Sequence, residues 1–330
     1  MPTRDTQDAR RTERLRSRRA QRARETVIVG SLLACGVFTI GVTASIIVLL
    51  ARESSTFFAR EEVGFWSFVT GTEWTPLLGA TQEYGVLPLV CGTLLVTGIA
   101  ALTAIPLGLV SAIYLSEYAH PRVRAMVKPA LEVLAGIPTV VYGYFALVVI
   151  TPAINWVWSG KDGGLGIGPM LGFEEGFGTY NALSAGLAVG IMCIPTVSSL
   201  SEDALQAVPR SLRHGAYASG ATRFDVSLRV VVPAALSGIM AAFLLAIARA
   251  IGETMIVTLA AGQSAVMTLD PRDSIQTLTA YIVQISTGDV PAGGLEYQSI
   301  YAVAATLFVM TFAVTLVGAR IRNRFREAYA

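Results

Sequence analysis

The stretch LLAIARAIGETMIVTLAAG, Leu244 to Gly262, is apolar or small almost throughout, yet it carries Arg249 and Glu253. Four residues apart on a continuous helix, the two share one face. An arginine near mid-bilayer costs at least ~2.5–3.5 kcal/mol and must face protein or a wet cavity. Two chemistries fit. The pair is an internal ion pair that locks helix packing, or the guanidinium lines the path of an anion. A planar fork of N–H donors suits several oxygens at once, and conduction requires weak binding. A carboxylate beside the guanidinium would let it attract an anion without trapping it. Thr254 is placed in the same candidate path. So is Glu132, at the head of LEVLAGIPTVVYG; it pairs with an arginine on another helix or partner chain, or it snorkels to the interface.

Other chemistry finds no support. Cys35, Cys91 and Cys193 are isolated within apolar runs, with neither metal-ligand spacing nor a disulfide framework. His120 and His214 are too few and too far apart for a metal site. No GxxxxGK[ST], GxSxG or HExxH occurs. The chain offers no visible means of hydrolysing a nucleotide, and neither an enzyme nor a cofactor site is expected.

The elements that must position these residues are membrane helices. Of 330 residues, 53% are hydrophobic and 15% charged, against about 25% charged in soluble domains. Residues 26–51, 84–116, 133–160, 176–201 and 297–319 contain no Asp, Glu, Lys or Arg, and 230–269 contains only Arg249 and Glu253. Each run exceeds the ~20 residues that cross a bilayer as a helix. The run 26–51 is too long for a signal-peptide core and reads as a retained first span. An all-α, polytopic bundle of six transmembrane helices follows.

Basic residues between the runs number 9, 2, 3, 1, 4, 1 and 4 in chain order. One set of sides is rich in them and the other poor. By the positive-inside rule both termini are cytoplasmic, N-in/C-in. The expected division is a basic cytoplasmic tail (1–25), a first transmembrane helix (26–51), an external segment (52–85), a core of five transmembrane helices (86–320) and a C-terminal tail (321–330). The glycine-rich segment 158–178 reads as an irregular external loop. The arginine-rich tail RRTERLRSRRAQRARE abuts a span, so it sets topology and meets anionic lipid of the bilayer; nucleic acid is not an expected partner.

The loop 201–233 is neither very charged nor very polar, which is unusual for a cytoplasmic connection. Pro209 fits the first turn of a short helix. Leu212, Ala216 and Tyr217 would form its apolar stripe, and Gly220 would end it in a left-handed conformation. Such a helix suits docking by a partner, or it packs against the chain's own helices.

This loop resembles the EAA loop of ABC importer permeases, whose pattern is E-A-A, three residues, Gly, nine residues, then I-x-L-P. His214, Gly215 and Ala216 take the first three places, Gly220 the glycine, and Val230, Val232 and Pro233 the last positions. His214 stands where the family has its acid and Gly215 where it has its first alanine. The stretches LVCGTLLVTGIAALTAIPLGLVSAIYLSEYA, ALEVLAGIPTVVYGYFAL and ARAIGETMIVTLAAG are similar to the permeases of phosphate importers, more of the PstC than the PstA type. The resemblance implies an ABC type I importer permease fold in a bacterial cytoplasmic (inner) membrane. It implies a PstA-type permease partner, a dimer of ATPase subunits that binds the ATP, and an extracytoplasmic phosphate-binding protein. It also implies that Pro209, Leu212, His214, Gly215, Ala216, Tyr217, Gly220, Arg223 and Pro233 couple the chain to the ATPase. Rival expectations are a permease for another oxyanion, such as molybdate or sulfate, and a secondary transporter acting alone.

Overall fold

The computed structural model describes residues 4–61, 63–77, 82–159, 164–170, 176–291 and 293–324. The regular secondary structure of the described residues is helical, apart from one isolated antiparallel bridge between Trp74 and Tyr84. The tail beyond Arg324 and much of the loop 158–178 lie outside them. The chain divides into two compact units, Met1–Ser55 and Thr56–Ala330.

The first unit is a single helix, α1 (Arg4–Phe58), which enters the second unit only with its last three residues. The expected basic tail and first span are thus one helix, which continues past residue 51. Its stretch Arg24–Phe58 is long and apolar enough to cross a membrane. Apolar residues occupy every side of it, the pattern of a helix surrounded by lipid or protein rather than of one lying on a water-facing surface.

In the second unit the long elements are α3 (Leu87–Ile113), α8 (Ala182–Gln206) and α15 (Leu295–Arg324), with the short α2 (Phe65–Thr70) preceding them. A π-helical turn, Tyr114–Tyr118, prolongs α3. It leads into the separate helix α4 (Pro121–Ala135), which starts on Pro121 with His120 as its cap. Gly136, Ile137 and Pro138 break the chain before α5 (Thr139–Phe145), which runs through a π-helical turn into α6 (Thr151–Ser159). A single turn, α7 (Ile167–Met170), precedes α8.

After α8 come α9 (Arg210–Ala218), α10 (Arg223–Asp225), a π-helical turn, α11 (Val232–Ala234), α12 (Leu236–Ile251) and α13 (Met255–Ala260). An extended segment then leads to α14 (Leu278–Thr287) and α15. Among the described residues, five helices are long and apolar enough to span a membrane: Arg24–Phe58, Leu87–Tyr118, Thr139–Ser159, Ala182–Gln206 and Leu295–Ile321. The stretch Arg223–Ala234 plus Leu236–Ile251 makes a sixth only as a pair bent by 71°. The run 230–269, expected as one straight span, is therefore bent at Ala235 and ended at Ile251.

The centre of the bundle is the α3–α8 pair. A Cβ on Gly186 would lie 2.6 Å from the Cβ of Ile99, one on Gly190 2.7 Å from Thr103 Oγ1, and one on Gly108 2.6 Å from the Cβ of Val197. Small residues allow this approach, which is how membrane helices gain dispersion contacts that hydrocarbon does not already supply. The contact positions advance together along both helices, so α3 and α8 run parallel. The core around them includes Val96, Ala100, Val189, Met192, Ala246 and Ile256. At the start of α3, Leu89 meets an aromatic cluster of Phe57, Phe68, Trp74, Tyr84 and Tyr281. At its end, Ala112 joins Leu205, Val208, Val226, Val231 and Ile239.

Candidate functional site

The candidate residues fall in two main groups, one at the end of α12 and one at the end of α3 and α8 where α9 lies. Arg249 is in the last turn of α12. Gly252 then ends the helix, and the Glu253 amide donates to the Ala250 carbonyl at 3.3 Å. The Glu253 side chain turns forward: its Oε1 accepts from the amides of Met255 (3.2 Å) and Ile256 (3.3 Å) at the start of α13. Its backbone carbonyl accepts from Thr279 Oγ1 at 2.7 Å. The first amides of any helix lack internal partners, and the carboxylate supplies them here. Thr254 is the residue before α13, and its hydroxyl donates back to the Gly252 carbonyl at 3.3 Å.

The expected Arg249–Glu253 ion pair does not form. With a helix end between them the two residues share no face, and the Glu253 carboxylate is engaged by amides. Arg249 instead donates from Nη1 to Thr196 Oγ1 on α8 at 3.2 Å, and its side chain is exposed on the same face of α12 as Leu245. Among the described residues it has no carboxylate partner. Glu253 is 8% exposed, so its role is to hold the corner that ends α12. Glu253→Gln, which keeps an oxygen facing the two amides, is expected to leave transport within about threefold of the unaltered chain. Glu253→Ala strands buried amides at ~1–3 kcal/mol and should lower both the melting temperature of the purified chain and transport. Equal loss in both variants would show that the charge, not the cap, matters.

Glu132 is exposed on α4, apart from the third span, and among the described residues its carboxylate meets no cation. It stands on the wall of an open groove of ≈ 620 Å³ with Leu115, Ser116, Arg124, Lys128 and Pro129. The acid that does pair with cations at this end is Glu202 on α8, 1% exposed, which receives Arg124 Nε at 2.7 Å and Lys128 Nζ at 3.6 Å. Lys128 also donates to Asp203 at 3.0 Å. That hydrogen bond holds the Lys128 ammonium above its usual pKa, against the opposing effect of burial.

The connection from Val208 to Pro233 begins with α9. Pro209 lies just outside the helix rather than in its first turn, with ψ 138°. Gly220 ends the segment as expected, at φ +83°. The Ala221 amide reaches the Ala216 carbonyl at 3.2 Å and the Gly220 amide the Tyr217 carbonyl at 3.0 Å, closing the open end of the helix. Leu212 and Ala216 pack on the Leu205–Val208–Val231 cluster. Tyr217 does not join them: one position beyond Ala216 it has rotated ~100° round the helix and is 44% exposed. Arg213 takes the inner position, with Nη1 2.6 and 2.8 Å from the two Glu117 oxygens and Nη2 2.7 Å from the Leu205 carbonyl. Arg210, His214, Gly215 and Tyr217 face away from the chain. Arg223 opens α10 behind its Thr222 cap and is exposed, as is Pro233 beside the 71° bend.

Glu117, Glu202 and Arg213 escaped sequence reasoning. The available signal was position: the charge-free runs 84–116 and 176–201 end immediately before or at the residue preceding these two acids.

A bundle of membrane helices around a parallel, glycine-seamed pair, with a short helix displayed beyond the bundle end, is the architecture of a multi-pass membrane permease. Residues 104–327 match the family described as "Binding-protein-dependent transport system inner membrane component", and the chain belongs to that family, as an ABC importer permease of PstC type. It is 33% identical to the "Probable ABC transporter permease protein YqgH" of Bacillus subtilis, over 93% of this chain and 94% of that protein. It is 33% identical to the "Phosphate transport system permease protein PstC" of Mesorhizobium japonicum, over 82% and 84% of the two chains. It is also 32% identical to the "Phosphate transport system permease protein PstA 1" of Mycobacterium tuberculosis, over 78% of each. The fold is similar to a chain in the crystal structure of a bacterial ABC transporter involved in the import of alginate. There the TM-score is 0.62 at 16% identity, with 92% of this chain and 97% of that one covered.

Proposed function

We propose that the chain is one membrane subunit of an ATP-driven phosphate importer, and that Arg249 lines the anion's path. The observation that carries this reading is Arg249 itself: a guanidinium near the end of a membrane helix, turned outward, beside a hydroxyl and, among the described residues, without a carboxylate partner. Such a group is costly in lipid and suits a tetrahedral oxyanion with several acceptor oxygens. The PstC and PstA relatives, named as phosphate transport permeases, supply phosphate as the anion.

A PstA-type permease provides the other half of the path, and an extracytoplasmic binding protein delivers phosphate. ATP is bound and hydrolysed by a dimer of ATPase subunits, which engages the outward face of α9, Arg210, His214 and Tyr217, on the cytoplasmic side. The excess of basic residues in the segments 1–25, 117–130, 201–229 and from Arg320 onward supports the reading of that side and both termini as cytoplasmic, and the bacterial relatives support an inner membrane. The stroke of the ATPase displaces α9, and the bundle alternates between outward and inward openings.

The test is reconstitution in liposomes. ATP-dependent phosphate uptake is expected from the four-component assembly and none from the chain alone. Uptake by the isolated chain would make it a stand-alone transporter. Stimulation of hydrolysis by molybdate or sulfate but not phosphate would reassign the substrate.

A further inference from the structure

We propose that the Glu117–Arg213 pair is the link through which displacement of α9 reaches the membrane helices, which makes Glu117 a positioning residue for coupling. The inference rests on the reading of α9 as the ATPase contact. Arg213 is held by three acceptors on two helices: both Glu117 oxygens in the π-helical turn that ends α3, and the Leu205 carbonyl in the last turn of α8. The side chains are only 7% (Glu117) and 19% (Arg213) exposed. The Leu212 and Ala216 contacts beneath α9 are apolar and non-directional, so alone they would let the helix slide over the bundle. With Nη1 on both Glu117 oxygens and Nη2 on the Leu205 carbonyl, the guanidinium is fixed in direction as well as distance. α9 therefore cannot shift without drawing the ends of α3 and α8 with it or breaking three charge-assisted hydrogen bonds. Those two helices are in turn seamed by Gly108, Gly186 and Gly190, so a pull at their ends moves them as one body. His214, where the family's pattern has its acid, points away from the chain. The carboxylate that anchors this helix thus comes from α3 beneath it.

The experiment uses the reconstituted assembly, with hydrolysis measured with and without the loaded binding protein, alongside phosphate uptake. In Glu117→Gln the assembly is expected to form, while the ratio of stimulated to unstimulated hydrolysis and the uptake both fall about tenfold, the scale of one lost charged hydrogen-bond pair. The exchange Glu117→Arg with Arg213→Glu restores the ion pair with reversed sign, though not the Leu205 contact, and should recover part of both. Stimulation and uptake within twofold of the unaltered chain in Glu117→Gln would overturn the proposal. So would an exchange that assembles yet recovers nothing, since the pair would then be structural only. If Glu117→Gln fails to assemble, recovery in the exchange decides. Absence of phosphate uptake in the unaltered assembly would sink the substrate reading instead, and the hydrolysis ratio, taken with whichever oxyanion stimulates it, would still judge Glu117.

Discussion

Arg249→Gln is expected to reduce phosphate uptake by roughly 10- to 100-fold, with the chain present in the membrane at its normal level. A hydrogen bond to a charged group contributes ~1.5–3 kcal/mol, and each 1.4 kcal/mol is tenfold. Glutamine keeps the aliphatic stem, and the Arg249 side chain is exposed, so packing changes little while the charge disappears. Among the described residues Arg249 has no carboxylate to leave stranded, so the loss reports on the anion rather than on a broken internal pair. Arg249→Lys should fall between the two, because an ammonium keeps the charge but not the planar fork. Uptake within twofold of normal in Arg249→Gln, measured with radiolabelled phosphate and corrected for protein amount, would remove Arg249 from the path.

Gly186→Val is expected to lower the yield of folded, detergent-extractable chain about tenfold or more. The new Cβ would sit 2.6 Å from the Cβ of Ile99, 2.7 Å from its Cγ2 and 3.3 Å from the Val96 carbonyl. Those atoms belong to, or lie next to, the backbone of α3, so no rotamer change relieves the clash. Overpacking typically costs 1–3 kcal/mol, and more where backbones must separate. Exchanging the bulk across the seam, Gly186→Val with Ile99→Gly, should recover part of the yield as judged by size-exclusion chromatography. Normal yield in the single variant would mean that the α3–α8 pair is not packed at this distance.

The spans and the end of α9 were legible because each leaves a local mark. A charge-free run of more than 20 residues reports a span wherever it packs. Gly220 marks a helix end because a left-handed residue and a following turn are set within six residues. The corner at Gly252 left an ambiguous mark. A glutamate four residues after an arginine reads as an ion pair on a continuous helix, and the same glutamate two or three residues before free amides reads as a cap. Gly252 is a modest helix breaker, so spacing alone favoured the first, and the contact between Thr279 and the Glu253 carbonyl that stabilises the second is 26 residues away in sequence. Glu117 and Arg213 are 96 residues apart. Nothing in the periodicity of either segment joins them; only the parallel packing of α3 and α8 brings the end of one beneath the helix that follows the other. Tyr217, expected in one apolar stripe with Leu212 and Ala216, belongs by its angular position to the outer face.

The parallel course of α3 and α8 bears on biogenesis. Two parallel helices in one membrane cannot be neighbours in a simple hairpin, so the chain must return across the bilayer through α5 and α6 before α8 can be laid alongside α3. A nascent chain that has left the ribosome only as far as α6 therefore holds Ile99 and Thr103 against whatever surrounds α3 at that moment, with no glycine backbone to receive them. Closure waits for the roughly thirty further residues that separate the end of α6 from Gly186 and Gly190, which makes this stage of translation the point at which a chaperone or a protease would meet the permease unfinished.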